Sequence, residues 1–105
     1  MIKIVAKKDK EDIVFLECSG HSGFAESGKD IVCSAVSTLV QNAILSLQKI
    51  ANIPVKYVID EAKAFLSIDI KNISNYDAQI IMKSTFLGLQ ALQKSYKKYI
   101  DIKGD

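Results

Sequence analysis

The apolar and polar positions along this chain sort into six segments. Residues 2–6, Ile2-Lys3-Ile4-Val5-Ala6, alternate weakly and are rich in Ile and Val, which predicts a strand. Lys7-Lys8-Asp9-Lys10-Glu11-Asp12 is a charged turn, and Ile13-Val14-Phe15-Leu16-Glu17-Cys18 is a second strand-prone run. Together they predict a hairpin with a slightly long loop. A glycine-punctuated loop follows at 19–29.

A helix then begins, with Asp30 as its N-cap, placed so that its carboxylate accepts from the backbone N–H of Val32 or Cys33. Apolar residues recur at 32, 35, 36, 39, 43, 47 and 50, which is helical spacing. Ile31, Val40 and Ile44 widen the stripe, and Leu45 falls near its opposite side. A surface helix normally has a charged back, but here there is no charge until Lys49. Both faces are therefore expected to be covered, one by a sheet and the other by the second helix or another subunit. Asn52 and Pro54 end this region.

Val55 to Asp60 and Ala64 to Ile70 predict two more strands around a short polar turn at Asp60-Glu61-Ala62-Lys63. Ser74-Asn75-Tyr76-Asp77 opens a second helix over about residues 75–98. Ile80, Phe86, Leu87, Ala91, Leu92 and Tyr96 are its expected inner face, and Lys94, Lys97 and Lys98 suit its C-terminal dipole. The expected fold is α+β in the order ββαββα, a four-stranded sheet packed with two helices, forming one domain over residues 1–105.

Composition narrows the function classes. Fourteen Lys and Arg against twelve Asp and Glu give a net charge of +2, too weak for the basic face of a nucleic-acid binder. Two Cys and no secretory signal predict free thiols in a reducing cytoplasm. The uncharged stretch Ile31 to Gln48 has the length of a membrane span. Its Ser, Thr, Asn and Gln content argues instead for a buried helix, and no membrane partner is expected.

Residues 20–33 hold the only His and carry the candidate chemistry. Gly23 to Lys29 fits G-x-x-x-x-G-K between a strand and a helix, the setting of a phosphate loop. The next residue should then be Ser or Thr, and it is Asp30, whose carboxylate competes with phosphate for the same N–H groups. A metal site from His21, Cys33, Cys18 and Asp30 lacks the paired short spacings of structural zinc, so neither metal nor cofactor is expected. The third reading is nucleophilic catalysis. Cys33 falls in the first helical turn, where unpaired N–H groups and the helix dipole favour a thiolate and can serve an oxyanion. His21 lies twelve residues upstream, within reach of a loop that folds back. The plain structural alternative makes His21 a loop residue and Cys33 a small apolar one, and Cys18, in a strand run, is read that way.

The full pattern favours catalysis. Gly20-His21-x-Gly23 followed by Gly28-x-Asp30-x-Val32-Cys33-x-x-x-Ser37 resembles the signature of the ribosomal-processing cysteine proteases, the Prp family. The resemblance extends to chain length and element order. It implies that His21 and Cys33 are the catalytic pair of a cytoplasmic homodimer. It also implies a substrate, ribosomal large-subunit protein L twenty-seven, whose short N-terminal extension is removed after an aromatic-rich segment. Asp30 either caps the helix or orients His21, and capping is preferred because it requires no further geometry. Ser37, one turn after Cys33, either supports the site or packs. Gly20, Ser22, Gly23 and Gly28 belong to a substrate loop expected to be mobile when empty and to order over the peptide. Phe24, Tyr57, Tyr76 and Phe86 are candidate aromatic contacts, each more readily explained as packing. The rival reading from another class is a non-catalytic, ribosome-associated docking protein.

Overall fold

The computed structural model describes residues 1–26 and 29–104. The chain runs β1 (Ile2–Asp9), β2 (Asp12–Ser19), α1 (Ile31–Lys49), β3 (Lys56–Asp60), β4 (Phe65–Asp69), α2 (Tyr76–Ser95) and β5 (Ile100–Lys103). The strands form one sheet in the order β3-β4-β2-β1-β5. Two antiparallel hairpins, β1–β2 and β3–β4, join side by side through an antiparallel β2–β4 pair. The fold is α+β, as expected, but the sheet has a fifth strand. The expected second helix runs to about residue 98 and leaves the residues after it without an element. The helix instead ends at Ser95, with the Tyr96 N–H still bonded to Leu92 O. The chain turns, and Ile100 and Ile102 align in parallel with Ile2 and Ile4 of β1.

Pleating sends alternate residues to one face, where the core forms. Ile2, Ile4, Ala6, Leu16, Cys18, Ile68 and Ile100 point there and meet both helices. Helix α1 contributes Val32, Val36, Val40, Ala43, Ile44 and Leu47. By length and composition it could cross a membrane (mean hydropathy 1.4), yet these six side chains make it a core helix of the sheet. The sheet covers one side and α2 part of another, where Leu39 faces Gly88, while Ile31, Leu45 and Ile50 are exposed on this chain.

Helix α2 is rotated relative to the expected inner face. Ala78, Gln79, Met82, Thr85, Phe86 and Leu89 face inward, while Ile80 and Leu87 are 52% and 66% exposed and Ala91 is also outside. Polar Gln79 and Thr85 disguise the stripe. The ladder between β1 and β2 skips a residue between Lys7 and Lys8, which leaves a bulge opposite. Gln79 closes it, its Oε1 accepting from Ile13 N–H at 2.8 Å and its Nε2 donating to Ile13 O at 3.0 Å. Thr85 donates to Ile81 O at 2.8 Å.

Candidate active site

The end of β2, the glycine loop and the start of α1 converge at one end of the sheet. Gly20 leaves β2 with φ +92°, a conformation open to glycine, and a Cβ there would lie 2.8 Å from Met1 O. Its N–H donates to Ala64 O at 3.0 Å, tying the loop to the β3–β4 turn. The Met1 ammonium donates to His21 O at 2.6 Å. The backbone on either side of the His21 side chain is thus held from two directions.

Asp30 is the N-cap of α1, with extended φ and ψ and a side chain that meets the first turn. Its Oδ1 accepts from Val32 N–H and Cys33 N–H, both at 3.0 Å. Its Oδ2 accepts from the Ser22 hydroxyl. Burial pushes the Asp30 carboxyl up, but the Ser22 hydroxyl, the backbone and side chain of Cys33 and the Val32 N–H outweigh it and hold the carboxyl below its usual range. Among the described residues no hydrogen bond joins Asp30 to His21, so its contacts are those of a cap. These contacts also overturn one expectation. The N–H groups of Val32 and Cys33 are taken by Asp30 Oδ1, and Ser34 N–H goes to Asp30 O at 3.1 Å, so these three are engaged rather than free for an oxyanion.

Ser22 links the two halves of the site. Its hydroxyl donates to Asp30 and accepts from Phe24 N–H at 3.0 Å, a local turn of the kind serine favours. Its own N–H donates to Cys33 Sγ at 3.3 Å. That bond folds the loop back, so that the residue next to His21 rests on the thiol eleven positions later in the chain. The sequence placed Ser22 only in a loop; its spacing to Phe24 and Asp30 was the one available signal of this clamp.

One groove of about 700 Å³ has Gly20, His21, Asp30, Cys33 and Ser37 in its walls. Cys33 is half-buried and His21 exposed. Ser37 Oγ accepts from Gln41 Nε2 at 2.7 Å, a bond directed along α1. Gly23 is exposed at φ +78° with open space around it, and Gly28 lies outside the described residues. Phe24 packs edge-on against Tyr96 and Tyr99, with ring centroids 5.8 and 5.2 Å apart. Phe86 is core, while Tyr57 and Tyr76 are exposed, and none of these four aromatic residues walls the groove. Cys18 also borders the groove, but burial, with Glu17 adding to it, pushes its thiol up to about 12. Among the described residues no three His, Cys, Asp or Glu side chains converge as a metal-ligand set.

A family model described as Cysteine protease Prp matches residues 1–101. The ribosomal processing cysteine protease Prp of Mycoplasma genitalium is 33% identical over 89 residues, covering 84% of this chain and 85% of that one. Its namesake from Bacillus subtilis is 23% identical over 97 residues, covering 89% and 87%. The crystal structure of an essential ribosomal processing protease Prp from S. aureus, in complex with a covalently linked product peptide, superimposes over the whole of both chains with a TM-score of 0.92 at 21% identity. The match over nearly the full length and the shared α+β fold lead to one assignment: the chain belongs to the Prp family of cysteine proteases.

Proposed function

We propose that this protein is an endopeptidase that removes the short N-terminal extension of ribosomal large-subunit protein L twenty-seven, with Cys33 as nucleophile and His21 as general acid and base. The observation that carries the reading is the groove in which the only histidine and a half-buried free thiol stand together, the loop between them clamped by Ser22. Relatives named as ribosomal processing proteases support a ribosomal precursor as substrate. Membership in a protease family disfavours the docking-protein alternative.

In this mechanism Cys33 thiolate attacks the scissile carbonyl carbon, and the peptide C–N bond breaks as His21 protonates the leaving amine. A thioester remains on Cys33. Water, deprotonated by His21, attacks it and releases the new carboxylate and the thiol. The Ser22 N–H supports the sulfur when it carries negative charge. Asp30 acts at one remove, by fixing Ser22 and the first turn of α1. The loop from Gly20 onward closes over the bound peptide.

The same reading makes the enzyme a cytoplasmic homodimer. Tyr76, Ile80 and Leu87 form an exposed stripe on α2, and Ile31 and Ile50 extend the exposed apolar surface of α1, which supports self-association. The direct test is incubation with precursor L twenty-seven, read by mass spectrometry. A shortened product that disappears with Cys33→Ala is expected. Cleavage that survives Cys33→Ala would overturn the thiol mechanism, and binding without any cleavage would overturn the endopeptidase reading in favour of the docking protein.

A further inference from the structure

Strand β3 ends the sheet on one side, with β4 as its one neighbour. Among the described residues nothing pairs with the backbone along its outer edge. Natural sheets blunt such an edge with charge, proline or a bulge. Here the middle of the strand is Tyr57-Val58-Ile59, exposed to 46%, 45% and 40%, and its ladder with β4 is regular. An apolar, regular edge is a template for another strand.

The order of its residues says which strand. β3 reads Lys56-Tyr57-Val58-Ile59-Asp60. Laid antiparallel against a copy of itself about Val58, it sets Lys56 opposite Asp60, Tyr57 opposite Ile59 and Val58 opposite Val58. Two-fold symmetry repeats the first two pairs. Opposite charges and aromatic–β-branched pairs both stabilise across strands. Lys56, Val58 and Asp60 share the open face of the sheet, and Tyr57 and Ile59, opposite Ile68 and Leu66 of β4, share the face that bears the helices. The other edge of the sheet lacks this self-complementarity. β5 reads Ile100-Asp101-Ile102-Lys103, and the same operation sets Asp101 opposite Ile102 and Lys103 opposite Ile100. An unrelated strand would match β3 through its backbone alone, whereas a second copy matches it at every side chain.

We propose that β3 pairs antiparallel with β3 of a second copy, about a two-fold axis at Val58, and joins the two five-stranded sheets into one. The proposal rests on the homodimer reading and names its contact.

The test reverses the charges and measures sedimentation equilibrium of the full chain. Lys56→Asp sets acid against acid, and Asp60→Lys sets base against base. Each variant alone is expected to dimerise about tenfold more weakly than wild type or worse. An equimolar mixture of the two is expected to recover the dimer, because each strand then meets its complement. That recovery also shows that both variants fold, although Asp60→Lys removes the acceptor of the Lys63 N–H in the β3–β4 turn. Cysteine cross-linking fixes the register, in a Cys33→Ala background that leaves the buried Cys18 as the one native thiol. Val58→Cys is expected to give a disulfide-linked dimer on oxidation, since facing residues of an antiparallel pair lie roughly 4.5–5.5 Å apart at Cα. Lys56→Cys is expected to give none, its copies lying about 13 Å apart along the pair. A dimer that neither charge variant weakens and Val58→Cys does not link would overturn the β3 contact and leave the dimer to another surface. A monomeric wild type would overturn the homodimer reading and this contact with it.

Discussion

Replacing Asp30 by alanine removes three hydrogen bonds at once, and their cost can be worked out separately. Two are cap bonds, from Val32 N–H and Cys33 N–H to Oδ1 at 3.0 Å each. Loss of such a cap costs about 1 kcal/mol, within a range of roughly 0.5–2. The third leaves the Ser22 hydroxyl, on a residue only 3% exposed, without its acceptor. An unsatisfied buried polar group adds about 1–3 kcal/mol. The sum is about 2–4 kcal/mol, which for a domain of this size lowers Tm by roughly 10–20 °C. Asp30→Asn keeps an oxygen for the cap and lets the Ser22 hydroxyl accept instead of donate, so its loss is expected to be under half as large. The two variants also separate in acid. The folded carboxyl sits below its unfolded value, so its contribution is complete above about pH 4 and disappears as pH falls through the lower folded value. Wild-type stability therefore declines on acidification below about pH 4 more steeply than that of Asp30→Asn. Thermal melts followed by circular dichroism from pH 7 to pH 3 read both effects. An Asp30→Ala melt within about 2 °C of wild type at pH 7 would refute the cap and clamp as described.

Three further outcomes follow from single contacts. His21→Ala lowers kcat by about 10²–10⁴ with the fold intact, checked by peptide kinetics beside a thermal melt. Gln79→Ala strips both partners from Ile13 in the β2 bulge and costs about 2–4 kcal/mol in urea denaturation. Phe24→Ala removes the ring from between Tyr96 and Tyr99, so hydrogen exchange of Ser22–Glu26 quickens while that of α1 stays unchanged.

The parts of this fold legible in the sequence are those with strong local signals. The 3.6-residue spacing and Asp30 gave α1 and its cap, and the runs at 2–6 and 13–18 gave the first hairpin. What escaped depends on tertiary partners. β5 is four residues long, and its order comes from pairing with β1, to which no local pattern points. The inward face of α2 includes Gln79 because the bulge needs a donor and an acceptor, a demand visible only once β2 is folded. In the site, the loop–helix stretch was legible as chemistry, but its wiring was not. The first-turn N–H groups looked free because capping was judged one bond at a time; the carboxylate takes two of them and Ser22 as well. The uncharged back of α1 is legible in the sequence, and α2 covers part of it through Leu39 and Gly88; Ser34, Thr38, Asn42 and Leu45 line the groove instead.

The central claim is that the reaction runs through one thiol. The most direct measurement is titration with iodoacetamide, with residual activity on precursor L twenty-seven followed against intact mass and a peptide map. One alkyl group on Cys33 is predicted to abolish cleavage, with Cys18, buried and shifted up to about 12, unmodified over the same interval. Full cleavage by protein carrying that group on Cys33 would contradict the account.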